Sequence, residues 1–529
     1  MSRLQVLLLI FFLCLTTSLP YITGYIHQSP NQVFVGRIPS NPADTAAYFS
    51  NIEQARQGRW LFTNQLTSEA QQLSLFHPLW LVLGWFGWLT HLNTPLVFQI
   101  GRLATLVLFV FVLNAIVRQI YSTRREQILA MIVVTTNAGL GWGFSTHQYI
   151  GAAILHAPLD IWIDEANTFR SLSHSAQFIL SQTLLLLILW SSWRRTQGQA
   201  MRHDWLIGSA IALLGFIHPY DLVTAIAVMV VWIMWWLLIT RPGRRAAITT
   251  MTWLTLVWIW ALPVATYYLI GPWQQLAVRG WFEQNINPSP SPLSFILGFG
   301  LLIPLGLVGG IRYARRYPVI AFLLVWIVTV MVIMYIPGLS IQRRLLSGVH
   351  MPMAFIAAFG LMYALESIRF QRTATTILAL LFLAVTNGKT LQAEIREARH
   401  PEQADYPLYI TRDESETMNW LRQHSSINDV VLASFWNGNA ITGLIARPVT
   451  LAHGNQTLHS GDREKDWAVF SAADSTAEQR QEIINRLRIR WLFWTADDQA
   501  ETAYRPAGDP AWHMVFQRNG VTVFQLQTN

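Results

Sequence analysis

The sequence predicts a mostly α-helical, polytopic membrane domain of about eleven spans plus juxtamembrane helices, followed by a small extracytoplasmic α/β domain. Three observations predict it. Of 529 residues, 52% are apolar and 12% charged, about half the ~25% charged fraction of an ordinary soluble domain. Apolar runs of about 20 residues recur, the length a helix needs to cross hydrocarbon. The charge also changes sign along the chain: residues 1–389 carry 24 basic and 11 acidic side chains, whereas residues 391–529 carry 13 basic and 18 acidic. The boundary places a membrane domain at 1–390 and an outer domain at 391–529.

These numbers exclude a purely cytosolic and a disordered chain. The formal net charge of +8 is not a nucleic-acid signature, because the arginines sit in short clusters between apolar runs, where they set topology. The one cysteine, Cys14, lies in the first apolar run, so neither an intramolecular disulfide nor a cysteine metal site can form.

The first run, residues 4–17, follows Arg3 and lacks a clean small-x-small cleavage pattern, which predicts a retained signal anchor. Further runs lie at 96–117, 127–145, 176–193, 205–220, 222–240, 248–270, 293–311, 318–336, 345–366 and 373–388. The Trp-rich stretch 76–92 is short, carries a proline near its start and ends on histidines. Charge decides its state. If it lies flat at the interface, Arg118, Arg124 and Arg125, Arg194, Arg195 and Arg202, Arg241, Arg244 and Arg245, Arg312, Arg315 and Arg316, and Arg369 and Arg372 all share the side of Arg3. The positive-inside rule requires that arrangement, so this stretch reads as a juxtamembrane helix.

The tail then lies on the non-cytoplasmic face, with the loops at 27–75, 146–175, 271–292 and 337–344. Eight of the eleven carboxylates of the membrane region lie there too: Asp44, Glu53, Glu69, Asp160, Asp164, Glu165, Asp221 and Glu283. Any chemistry faces outward.

The first outer loop, which with the juxtamembrane helix spans residues 27–95, is the most informative stretch. Asp44 follows the turn signal Asn41-Pro42 and precedes a helical pattern in which Tyr48, Ile52 and Ala55 share a face. It reads either as a helix N-cap or as a general base toward an acceptor hydroxyl or amine. His77 opens the juxtamembrane stretch. In the second outer loop, Asp164 and Glu165 stand just before a span; an acidic pair there is a solvated loop face, a cap, or a group that orients an acceptor or holds a divalent cation. The sequence requires no metal and has no ligand-spacing signature.

Two further features sit where spans meet the outer face. Pro219 breaks the apolar run at His218, and an ionisable pair at such a break, His218 and Asp221, is costly unless it lines a wet cavity. Arg343 and Arg344 are either interfacial anchors or guanidinium forks for a lipid phosphate.

The tail predicts helices at 413–424, 438–446 and 475–488, strands at 429–434, 448–452 and 490–494, and a hairpin over 512–527 around Asn519-Gly520. Asn455-Gln456-Thr457 matches a glycosylation triplet that is common by chance.

With these elements in order, the chain resembles the GT-C superfamily of integral-membrane glycosyltransferases, which includes protein O-mannosyltransferases and the lipid A aminoarabinose transferase. The resemblance rests on one span before a large first outer loop, Asp44 in PADTAAY, the Gln-Ala-Arg-Gln-Gly stretch at 54–58, Pro78 to Trp80, a span opening with Arg102, and an outer C-terminal domain. It implies an inverting transfer of sugar from a polyprenyl-phosphate-linked donor to an extracytoplasmic lipid, glycan or protein acceptor. It assigns Asp44 as catalytic base, Asp164 or Glu165 as the second acidic position, and Arg343 or Arg344 to the donor phosphate. His218, Asp221, Tyr48 and His77 are expected to line the cavity. Asp44 lacks the adjacent second acid of the mannosyltransferases, which weighs against their protein-acceptor chemistry. The all-arginine bias suits a bacterial cell membrane. The alternatives are a lipid or polysaccharide transporter or flippase, and a catalytically inactive relative serving as a binding scaffold.

Overall fold

The computed structural model describes residues 1–37, 42–149, 151–199, 205–367, 372–404 and 406–527. Asn41 of the first-loop turn, and Arg202 and Arg369 of the inner clusters, lie outside the described residues, as does the side chain of Arg372.

The chain is mostly helical. Six described helices are long and apolar enough to cross a membrane: Arg3–Ile26, Thr94–Ile120, Ala176–Thr196, Pro219–Thr240, Arg244–Gln274 and Gln342–Ser367. Two bent pairs, Pro292–Phe299 with Leu302–Tyr313 and Thr373–Leu383 with Val385–Arg399, raise the number to eight when each counts as one span. The expected spans at 127–145, 205–220 and 318–336 are the helices Arg124–Thr136, Leu206–Ile217 and Val319–Ile333, of 13, 12 and 15 residues. Those fall short of the ~20 residues a span needs. Length and composition thus support six to eight spans, and eleven goes beyond them.

The chain divides into two compact units. The first comprises Met1–Leu19, Ile100–Tyr267 and Ile286–Ala393. Here Leu302–Tyr313 packs on His350–Ser367 through glycines: a Cβ on Gly360 would lie 1.9 Å from the Leu305 carbonyl oxygen, and one on Gly309 would lie 2.3 Å from that of Ile356. Small residues let apolar helices approach this closely, and dispersion then replaces the hydrophobic effect as the source of cohesion. The 80° bend between Pro292–Phe299 and Leu302–Tyr313 falls at Gly300, whose φ is +46°. Other side chains are strained in that region.

The second unit comprises Pro20–Gln99, Tyr268–Asn285 and Glu394–Asn529. Strands β1 (Gln32–Phe34) and β2 (Tyr409–Thr411) form an antiparallel pair. A four-stranded sheet is built from β3 (Val430–Leu432), β4 (Ile489–Trp494), β5 (Trp512–Arg518) and β6 (Val521–Leu526), in the order β3-β4-β6-β5. The hairpin turns at Asn519 and Gly520, both at positive φ (39° and 89°), as a two-residue Asn-Gly turn requires. Helix Arg412–His424 carries a capping box from Thr411 and Glu414. The expected strand 448–452 is instead an isolated bridge between Val449 and Val431, because Pro448 has no N–H to give a ladder. The sheet core takes Val35, Ala46 and Leu66 from the loop 27–75 alongside Val431, Ile441, Phe493 and Val523.

The juxtamembrane stretch is a helix, Pro78–Thr90, of only 13 residues, capped by His77. A Cβ on its Gly84 would lie 2.2 Å from Ala55 Cβ, so this helix is pressed against the helix Pro42–Arg56.

Candidate functional site

In the second unit the chemistry centres on the helix Pro42–Arg56. Asp44 is its third residue, so the carboxylate lies in the first turn and is not the N-cap; the partial positive charge of the helix start stabilises an anion there. Its Oδ1 is 2.7 Å from His453 Nε2. The Asp44 side chain is 26% exposed and that of His453 only 9%, so a substrate can reach the carboxylate while the imidazole is closed off.

The loop 452–457 is wound around His453. The backbone N–H groups of Asn455 and Gln456 both donate to His453 Nδ1, at 3.0 and 3.1 Å. The Thr457 hydroxyl accepts from the N–H groups of Ala452 and His453 and donates to the Leu66 carbonyl. Thr457 of the would-be glycosylation triplet is therefore a fully buried loop brace. The Asn439 amide donates to the carbonyls of Ala43 and Ala452, both at 3.1 Å. One side chain thereby fixes the residues preceding Asp44 and His453. Sequence reasoning missed His453; the turn-forming Gly454-Asn455 beside a histidine was its one local signal.

Tyr48 stacks on Trp80, with centroids 5.3 Å apart, and His77 stacks on the same indole at 5.1 Å. The Gln-Ala-Arg-Gln-Gly stretch closes a turn: the Gln54 carboxamide donates to the Thr63 carbonyl and accepts from the N–H of Thr63 and from Arg59. Buried Glu53 accepts from Arg56, Thr94 and Arg422. These side chains hold the scaffold. A cavity of about 730 Å³ elsewhere in this unit, lined by Trp436, Trp467 and several carboxylates, contains none of the expected site residues.

The first unit gathers the rest. Three short segments meet: the turn Asp164–Ala166, the break at His218, and the turn Gln342–Leu346. The N–H of Gly348 and the amide of Gln182 both donate to the Glu165 carbonyl. The Ser347 hydroxyl donates to Asp221 Oδ2 at 3.1 Å, and Asp221 Oδ1 is 2.9 Å from His218 Nδ1. The helix Leu206–Ile217 stops and the next begins at Pro219, as the proline requires. Arg344 lies over the Tyr220 ring and Arg343 over the Trp162 ring, each 5.1 Å from the centroid. Arg343 also donates from its side chain to Asn287 Oδ1 and from its backbone to the Asn287 carbonyl. Two guanidinium planes are thus held on aromatic faces, an arrangement suited to gripping an oxyanion.

The two adjacent acids diverge. Asp164 is buried and its Oδ1 accepts from Arg170 Nε and a terminal NH2, at 2.9 and 2.6 Å, while Oδ2 meets His174. Burial alone would push its carboxyl up, but His174 and Arg170 together hold it well below the usual carboxylate range. Glu165 is half-buried. Arg102, fully buried, donates to Thr17, Ser18 and the Leu172 carbonyl, which ties the first helix to the short helix Thr168–His174. Among the described residues no group of three or more His, Cys, Asp or Glu side chains is arranged to hold a metal ion.

No family model matches the chain, and no curated protein matches it. Solved structures do. The Archaeoglobus fulgidus oligosaccharyltransferase, tethered with an acceptor peptide containing the NVT sequon, aligns at 13% identity over 94% of this chain and 70% of its own, with a TM-score of 0.52. Arabinofuranosyltransferase AftD from Mycobacteria aligns at 16% identity over 100% of this chain and 42% of its own, with a TM-score of 0.53. ArnT from Cupriavidus metallidurans bound to undecaprenyl phosphate aligns at 11% identity over 99% of this chain and 98% of its own, with a TM-score of 0.49. The chain has the fold of the GT-C glycosyltransferases.

Proposed function

We propose that this protein is a membrane glycosyltransferase that moves a sugar from a polyprenyl-phosphate-linked donor to an acceptor on the extracytoplasmic face of a bacterial cell membrane, with inversion. The observation that carries the reading is Asp44: a reachable carboxylate in the first turn of a helix, fixed by a hydrogen bond to a buried imidazole. Asp44 takes the proton of the acceptor hydroxyl or amine as that atom attacks the anomeric carbon from the face opposite the phosphate. The bond from the anomeric carbon to the phosphate oxygen breaks, and the electron pair leaves with the prenyl phosphate. That leaving group needs charge stabilisation more than a proton. Arg343 and Arg344, each braced on an aromatic ring, supply it.

Of the acidic pair, Glu165 rather than Asp164 remains available to orient the acceptor, since Asp164 is committed to Arg170 and His174. His218 and Asp221 brace the turn that carries the arginines, through Ser347. Tyr48 and His77 stack on Trp80 and shape the surface beside the base.

The test is turnover in proteoliposomes with undecaprenyl-phosphate-linked sugars as donors. Asp44→Asn should abolish transfer and leave undecaprenyl phosphate binding intact. Near-full turnover by Asp44→Asn overturns the assignment of the base.

A further inference from the structure

We infer that His453 is a positioning residue for the reaction: it acts as a neutral imidazole that donates from Nε2 to Asp44 and so aims and stabilises the base. This rests on the reading of Asp44 as base.

The argument starts from the proton inventory of the ring. A neutral imidazole has one N–H and one bare nitrogen, and the partner of one nitrogen determines the state of the other. His453 Nδ1 receives two backbone N–H groups, from Asn455 and Gln456. Backbone N–H groups only donate, so Nδ1 is the bare nitrogen. The proton is on Nε2, and Nε2 lies 2.7 Å from Asp44 Oδ1, within the range of a charge-assisted hydrogen bond. The carboxylate therefore accepts.

The surroundings hold this geometry. Thr457 clamps the loop on both sides of His453, and Asn439 ties Ala43 to Ala452. The imidazole is almost wholly shielded from solvent, whereas the carboxylate is not. The arrangement inverts the familiar one in which a carboxylate orients a histidine base: here the histidine orients the carboxylate.

Two substitutions separate this role from loop bracing. Asparagine at 453 places its carboxamide oxygen near the position of Nδ1, so His453→Asn keeps an acceptor for the two N–H groups and loses the donor to Asp44. Glutamine reaches further and places its NH2 near the position of Nε2, so His453→Gln keeps the donor and loses the loop bonds. In the full chain in proteoliposomes, with undecaprenyl-phosphate-linked sugars as donors, His453→Asn should lower kcat by about 10- to 100-fold, as loss of a hydrogen bond to a charged group does, with KM little changed. His453→Gln should recover most of kcat. The opposite ranking, Asn active and Gln inactive, overturns the proposal and leaves His453 a loop brace.

A measurement that needs no substrate runs beside it. Nitrogen NMR of the histidine-labelled full chain in nanodiscs should show His453 protonated at Nε2 and bare at Nδ1, with the Nε2 signal displaced in Asp44→Asn. A proton on Nδ1 overturns the proposal. If Asp44→Asn is inactive while both His453 variants turn over like the wild type, the dyad fails and the base stands. If Asp44→Asn is active, the base reading fails whatever the NMR shows.

Discussion

Arg170 closes around Asp164 with two donors on a single oxygen, Oδ1, at 2.9 and 2.6 Å, and both side chains are almost wholly buried. A charge in such a place is tolerated only because its partner is there. Asp164→Asn leaves the buried guanidinium facing a neutral amide, and should cost ~3–5 kcal/mol of stability. The pH dependence has a definite sign. The folded-state carboxyl lies below its unfolded value, so the pair contributes fully above pH ~4 and its contribution is lost only as the pH falls below that. Thermal unfolding of wild type and Asp164→Asn in detergent, followed by tryptophan fluorescence, should show a constant gap from pH 5 to 8 that narrows under stronger acid.

Asp160 should behave in the opposite sense. Burial pushes its carboxyl up to about 6, although the N–H groups of Gly141 and Gly139 and the Thr386 hydroxyl hold it down in part. The folded state therefore keeps a proton that the unfolded chain has released, and stability falls as the pH rises from ~4 to about 6, then levels. A shift of two units corresponds to ~3 kcal/mol. Asp160→Asn should remove that slope, and its midpoint at pH 7.5 should equal or exceed that of the wild type. A wild-type midpoint that rises from pH 4.5 to 6.5 would contradict this.

How much of this was legible in the sequence depends on the range of each interaction. The capping box at Thr411 and Glu414, the break at Pro219 and the Asn519-Gly520 turn are each set by neighbours within a few residues, and the sequence announces them. Hydropathy located the apolar runs, but length and composition support six to eight spans against the eleven expected, because an apolar run does not report where a helix stops or bends. The run 293–311 turns sharply at Gly300. The partner of Asp44 lies 409 residues away, and nothing periodic links Asp44 to His453. The pairing of β1 with β2 was invisible for the same reason. The Asp164-Glu165 doublet reads as one acidic feature until Arg170 and His174 are seen to take only the first of the two.

The glycines between Leu302–Tyr313 and His350–Ser367 give a packing prediction. A side chain on Gly360 meets the Leu305 carbonyl oxygen at 1.9 Å, a backbone atom that cannot swing aside. Gly360→Ala must push the helices apart and should cost at least the ~1–3 kcal/mol typical of overpacking. Gly306, on the facing helix Leu302–Tyr313 with no atom near its Cβ position, is the control. Gly306→Ala should match the wild type in yield and unfolding midpoint, while Gly360→Ala falls in both. Equal behaviour of the two variants would rule out this close approach.

The arginines supply the last prediction. A guanidinium and an ammonium carry the same charge, but only the guanidinium is a planar fork that can rest on an aromatic face and grip two oxygens of one phosphate. Arg344 rests on Tyr220 and Arg343 on Trp162. If they hold the donor phosphate, Arg344→Lys should retain part of the affinity for undecaprenyl phosphate and Arg344→Ala should lose ~10- to 100-fold, the value of a hydrogen bond to a charged group. Arg343 has a second task, because its side chain and backbone both anchor Asn287. Arg343→Ala should therefore lower the unfolding midpoint as well as the affinity, and Arg343→Lys should restore less of either than the corresponding change at 344. Scintillation proximity binding with labelled undecaprenyl phosphate checks the ranking. Affinity unchanged in both alanine variants would remove the arginines from the donor site while leaving Asp44 untouched.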